Sequence, residues 1–291
     1  MTGSIVKIVS IALNVPGPVA VARLVAEGAP AIKIEPPSGD PLHGLCQRWY
    51  DDLHRGMAVE RIDLKTTGGR TRMMLLLRDA DVFLASQRPA ALARLGLDAP
   101  SLGPAFPLLR HVNIVGDTRN PEEPGHDLTY QARAGLLPAL SGVEGRHALP
   151  LTLFADMAGA ERAHAAIKDV LKQPGSSRDV GLYDALSDLA APLRYGLTAA
   201  GGHLGGRNPA YGIYAARDGA IAVTALEAHF RARLYEGLGL TDGDDPSAVF
   251  ATKTAIEWEQ WAAARDLPLV AIREPSFARA SEAKHDASSG S

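Results

Sequence analysis

Only one cysteine, Cys46, occurs among the 291 residues. That excludes an intramolecular disulfide and a cysteine-rich zinc site. A lone thiol outside any cysteine–histidine motif reads as incidental. Aromatic residues make up 5% of the chain, so no cluster of rings marks a sterol or aryl pocket. Charge of one sign is not in excess. The net charge of −3 gives no reason to expect nucleic acid as a partner. No run of about 18 apolar residues is present to span a membrane. The opening Met1-Thr2-Gly3-Ser4-Ile5 lacks the charged and apolar segments of a signal peptide. The expectation is a soluble, cytoplasmic protein. No P-loop and no Gly-x-Gly-x-x-Gly run occurs, so the chain announces neither ATP nor NAD, and no metal site is expected.

What is there is enough to build a core: 46% hydrophobic and 22% charged residues. Residues 4–13 are apolar and β-branched and read as a buried strand. Asn14-Val15-Pro16-Gly17-Pro18 breaks it, residues 19–27 read as a helix, and Gly28 sits where a helix C-terminal glycine belongs. Residues 31–35 form a second strand, stopped by Pro36-Pro37. Strand, helix and strand in 35 residues are a βαβ unit, which implies a parallel sheet. Strands are expected over 59–64, 80–84 and 111–115, with a short helix over 89–96 and a mixed stretch over 71–77. Residues 127–138 can begin a helix, and 156–171 are strongly helical. Residues 199–210 hold four glycines and a proline and read as a boundary loop. Beyond it come a hairpin (211–215 and 220–225), helices over 228–237 and 255–265, and a last extended segment over 268–272. The small, polar tail over 278–291 reads as disordered.

Six segments, in order, resemble the family III CoA-transferases, and within them the α-methylacyl-CoA racemases. Residues 8–37 resemble the family opening, which ends in Lys-x-Glu-Pro-Pro. Residues 55–66 (RGMAVERIDLKT) and 80–97 (ADVFLASQRPAALARLGL) resemble two further segments. Residues 125–130 resemble a Gly-His-Asp-x-x-Tyr motif, 154–159 an Ala-Asp-Phe-Ala-Gly-Gly motif, and 210–230 a small-domain hairpin. The resemblance implies an α/β fold. A Rossmann-like large domain with a parallel sheet would span 1–200, and a smaller α+β domain 205–270. It also implies an interlocked homodimer.

The resemblance assigns His126 and Asp156 as two acid–base catalysts for an acyl-CoA racemase or epimerase acting on a 2-methylacyl-CoA. One removes the α-proton and the other returns one on the opposite face, through an enolate. A helix starting near Asp127 would aim its first amides at the thioester oxygen. Glu227 matches a family position near the active site. Arg55, Lys65 and Arg88 match positions near the nucleotide and phosphates of coenzyme A, and Gly125, Asp127 and Tyr130 complete the binding motif. Coenzyme A enters as part of the substrate, and no permanently bound cofactor is expected. Read without the pattern, His126 is a capping residue and Asp156 a helix N-cap, a position Asp favours. Two alternatives stay open. One is a CoA-transferase in which Asp156 attacks the thioester to give a mixed anhydride. The other is an acyl-CoA binder without turnover, to which the loss of the family's Gly-rich turn at Val115–Asn120 points.

Overall fold

The apolar run before Asn14 becomes β1 (Ile8–Ser10) and AIKIE becomes β2 (Ala31–Glu35), as their apolar, β-branched residues predict. A computed structural model describes residues 6–138 and 147–274. The expected tail over 278–291 lies outside the described residues. The backbone divides into two compact units, one up to Ala191 and one from Pro192 onward. The glycine-rich stretch over 199–210 belongs to the second unit, where Gly206 takes a left-handed φ of 100°.

In the first unit four more strands join β1 and β2: β3 (Ala58–Arg61), β4 (Val82–Ala85), β5 (Arg110–Val115) and β6 (Ser177–Gly181). All six pair in parallel, in the order β3-β2-β1-β4-β5-β6. The order reverses between β1 and β4. In open sheets of this kind ligands bind at that point, outside the carboxyl ends of the strands. β6 was not expected. Its sequence, SRDVG, is polar because β6 is an edge strand, and only Val180 and Gly181 are buried.

Helices cover both faces of the sheet. Ile8, Leu84, Val112 and Ile114 pack with Val21 and Leu24 of helix Pro16–Ala26 and with Ala163, Ile167 and Val170 of helix Phe154–Val170. Val9, Ile11, Ile34 and Phe83 point the other way, onto Met73, Leu77, Leu92 and Leu102. Successive residues of one strand therefore feed two cores, which is why these strands read as unbroken apolar runs. Each fully buried side chain of this size contributes about 1.5–3 kcal/mol.

The stretch over 71–77, expected to be mixed, is the middle of helix Thr67–Arg78. Gly68 and Gly69 obscure it in the sequence, since glycine disfavours helices. Thr66 starts it by accepting from Gly69 N at 3.0 Å. A side chain at Gly69 would collide with the Asp63 carbonyl, 2.0 Å from the place of its Cβ. Met73 and Leu77, one helical turn apart, then bury against the sheet.

The second unit is an antiparallel sheet of β7 (Tyr211–Ala215), β8 (Ala220–Thr224) and β9 (Leu269–Ala271). The expected hairpin is β7–β8. Helices Ala228–Leu238 and Ala255–Ala263 pack on it through Leu234, Trp258 and Ala262. Trp258 is buried, and its indole N–H donates to Phe250 O at 2.7 Å, so its one polar atom is satisfied. Among the described residues, no helix is long and apolar enough to cross a membrane.

Candidate active site

Two helix N-termini of the first unit meet at the candidate site. His126 is the N-cap of helix Asp127–Ala134, which follows β5, and its own side chain is exposed. Thr129 locks the turn. Its Oγ1 accepts from His126 N at 3.0 Å and donates to His126 O at 2.7 Å. Asp156 lies in the first turn of helix Phe154–Val170.

Asp156 is not the cap of its helix. The N-cap residue is Leu153, which has no side chain able to do the work. Asp127 does it from the other helix: its Oδ1 accepts from Ala155 N at 2.7 Å and from Asp156 N at 3.2 Å. Its Oδ2 accepts from Gln131 Nε2 at 2.5 Å, and that amide also donates to Thr152 O at 3.2 Å. Asp127 thus fixes two helix starts relative to each other and leaves the Asp156 carboxyl free of capping duty. One carboxylate satisfies two of the unpaired N–H groups that every helix N-terminus presents.

The electrostatics follow from this placement. Asp156 is half-buried, and its pKa is pushed up to about 7. Burial is the main cause, the negative charge of Asp127 adds to it, and His126 opposes both. Its acid form therefore survives to neutral pH, as proton transfer near pH 7 requires. Asp156 binds its proton more tightly folded than unfolded, so its contribution is complete below about pH 4 and is lost as pH rises toward 7. Asp127→Asn keeps a carbonyl oxygen for the cap and removes the charge. The expected result is an Asp156 titration, followed by carboxyl infrared or NMR shifts, that moves to lower pH; an unmoved titration would show that the Asp127 charge does not reach it.

Gly125 and Tyr130 are explained by packing. Tyr130 is buried, and its hydroxyl lies against both Gly116 and Gly125. A Cβ on Gly125 would fall 2.4 Å from that oxygen and 2.6 Å from the ring. Gly125→Ala is expected to cost about 1–3 kcal/mol in urea unfolding, as overpacking of a filled core does. Burial also pushes the Tyr130 hydroxyl pKa up, Arg133 opposing it and Asp156 adding to it.

The cations expected near coenzyme A are spread out. Lys65 and Arg88 follow the carboxyl ends of β3 and β4, both exposed, and Arg88 is the N-cap of helix Pro89–Leu95. Arg55 precedes β3 and pairs with Asp52 at 2.5 Å. Glu227 lies in the second unit, exposed, at the start of helix Ala228–Leu238. The structure thus brings together His126, Asp127, Tyr130 and Asp156. It leaves Arg55, Lys65 and Arg88 as separate surface cations. Cys46 is exposed.

Sequence reading missed a second cluster. Glu35, Asp40 and His54 are buried and converge as a metal triad would. The Lys33 ammonium already lies among them, so the cation of this cage is internal. A readable trace existed in Gly39-Asp40-Pro41: Asp before Pro is an N-cap followed by proline at the first helical position.

Residues 4–248 match the family described as CoA-transferase family III. A probable fatty acyl-CoA transferase from Mycobacterium tuberculosis is 26% identical over 65% of this chain and 51% of its own length. This chain thus spans about half the length of that relative. The α-methylacyl-CoA racemase of Mus musculus is 26% identical over 88% of this chain and 73% of its own. A crystal structure of a hypothetical protein from Mycobacterium tuberculosis has the same fold, with a TM-score of 0.80 at 24% identity over 92% of this chain and 84% of that one.

Proposed function

We propose that this chain, which belongs to CoA-transferase family III, is an acyl-CoA racemase or epimerase moving the α-proton of a 2-methylacyl-CoA thioester. One observation carries the reading: His126 and Asp156 stand at two helix starts that Asp127 ties together, and burial pushes the Asp156 pKa up to about 7. A pair with one neutral imidazole and one protonated carboxyl is set for transfer in one direction. The pair with the proton moved across is set for the reverse.

In the forward direction His126 takes the α-proton. The C–H electron pair moves into the thioester carbonyl as an enolate. Asp156 then delivers its proton to the opposite face, the electron pair returns to carbon, and the thioester is regenerated. His126 ends protonated and Asp156 ionised, and exchange of protons with solvent or the reverse cycle restores the start. The growing oxyanion needs donors. The amides of Asp127 and Leu128 open their helix and have no acceptor among the described residues.

Lys65 and Arg88 at the carboxyl edge, with Arg55, would meet the phosphates of coenzyme A, for which charge-assisted bonds are the physical means. Glu227 would support His126 from the partner chain of a homodimer.

The transferase named among the relatives favours a second reading, with Asp156 as nucleophile. The two separate cleanly. Incubation of a 2-methylacyl-CoA in D₂O without any acceptor acid should exchange the α-proton. A need for an acceptor, with an acyl-enzyme trapped by hydroxylamine at Asp156, would replace the racemase reading by the transferase one.

A further inference from the structure

Lys33 is 1% exposed in the middle of β2, an unusual place for an ammonium group. Its N–H groups reach Asp40 Oδ2 and His54 Nε2, the latter at 2.8 Å, and Glu35 Oε1 is an ion-pair partner at 3.3 Å. The histidine state follows from its other nitrogen. His54 Nδ1 lies 2.6 Å from Tyr50 O, a carbonyl that can only accept, so Nδ1 carries the hydrogen. Nε2 is then bare and accepts from Lys33, which only a neutral imidazole can do. Protonation would place an N–H against an ammonium N–H.

Asp40 carries the consequence to another part of the fold. Its carboxylate accepts from Lys33, from Leu42 N at 2.9 Å and from Asn14 N at 3.0 Å. Asn14 stands at φ 64°, left-handed, in the loop that leaves β1. The same loop is tied to β4 through Leu13 N to Ser86 Oγ at 3.1 Å and Gln87 Nε2 to Ile11 O at 2.9 Å. Lying after β1 and fastened to the segment that follows β4, it stands at the carboxyl ends of the two strands between which the order reverses, the place where open parallel sheets bind ligands.

We propose that Lys33, Asp40 and His54 form a proton-sensitive clamp that holds the β1 loop at Asn14 in its substrate-binding shape, with His54 a positioning residue whose protonation releases it. The charges around His54 are few and identified. Lys33 and Glu35 face it from β2, Asp40 from the following loop, and Tyr50 from its own helix, stacked at 4.0 Å. Beyond them His43 meets the edge of Tyr50 and Arg61 of β3 reaches Glu35 at 3.9 Å. Burial, with Lys33 assisting, lowers the His54 pKa against the pull of the Tyr50 carbonyl, Glu35 and Asp40. The clamp is therefore closed above the ordinary histidine value of about 6.5 and opens as pH falls through the lower folded value.

The clamp is independent of the reaction; its effect on substrate rests on the acyl-CoA reading. Hydrogen exchange on the whole chain tests the clamp alone. After correction for intrinsic rates, protection of the Asn14 amide should fall about tenfold or more between pH 7.5 and 5, the worth of one charge-assisted bond. Amides of the β4–β5 core should not change. In His54→Gln, which accepts without titrating, Asn14 protection should stay flat with pH. Equal protection of Asn14 at both pH values in the unaltered protein overturns the clamp whatever the variant does, and so does a fall that persists in His54→Gln. With a 2-methylacyl-CoA, KM should rise about tenfold over the same range with that dependence absent in His54→Gln, while the pH profile of kcat is the same in both. A clamp seen by exchange without any turnover would sink the acyl-CoA reading and leave the clamp standing.

Discussion

His126→Ala is expected to reduce α-proton exchange by about 10²–10⁴-fold, the usual worth of a positioned general base or acid. The residue is exposed at a helix N-terminus, and its locking bonds run through its backbone and Thr129. Truncation of the ring therefore removes the chemistry and leaves the turn. Asp156→Asn should give a loss of the same size, since an amide at that place cannot carry the proton. The double variant should be scarcely worse than either single one, because two groups acting in one proton relay fail together. The pattern across the two residues separates mechanisms. In a transferase, the acyl-enzyme trapped by hydroxylamine would vanish in Asp156→Asn and persist in His126→Ala. Exchange undiminished in His126→Ala, measured by deuterium incorporation at the α-carbon, would remove His126 from the mechanism.

Lys33→Met should be the most destabilising single change in the first unit, at about 3–5 kcal/mol. Glu35 and Asp40 are 1% and 3% exposed, so the variant leaves buried Asp40 without its cation and Glu35 with only the longer contact to Arg61 at 3.9 Å. The expense is that of unpaired charge rather than lost volume, since methionine fills much the same space. Adding Glu35→Gln should recover part of the loss, because the pair is then dismantled from both sides. Urea unfolding at pH 7.5 measures both. A loss below about 1 kcal/mol for Lys33→Met would mean that the cluster is solvated and contributes as little as a surface pair.

Much of the architecture was legible in local pattern. The first βαβ unit, the β7–β8 hairpin and helix Phe154–Val170 all follow from periodicity and from glycine and proline placement. The failures have local causes too. Helix Thr67–Arg78 was hidden because Gly68 and Gly69 lower its propensity while Met73 and Leu77 supply the burial that forms it. β6 was hidden because an edge strand needs no apolar alternation. His126 and Asp156 were singled out by the segments around them, and composition would not have found either.

The sequence by itself determined the two acid–base candidates, the parallel sheet and the family to which the chain belongs. Only the tertiary structure decided what each polar residue of the motif does. Asp127, expected to contact coenzyme A, accepts from the first amides of a helix 28 residues away, and that leaves the Asp156 carboxyl, whose pKa burial raises to about 7, free of capping. Lys33, Asp40 and His54 gave no joint signal along the chain, yet they share one buried cage. The physical reason is the same in each case. Propensity and periodicity act between neighbours in sequence, whereas desolvation and charge act between neighbours in space, and the strand order that makes those neighbours is fixed only when the sheet closes.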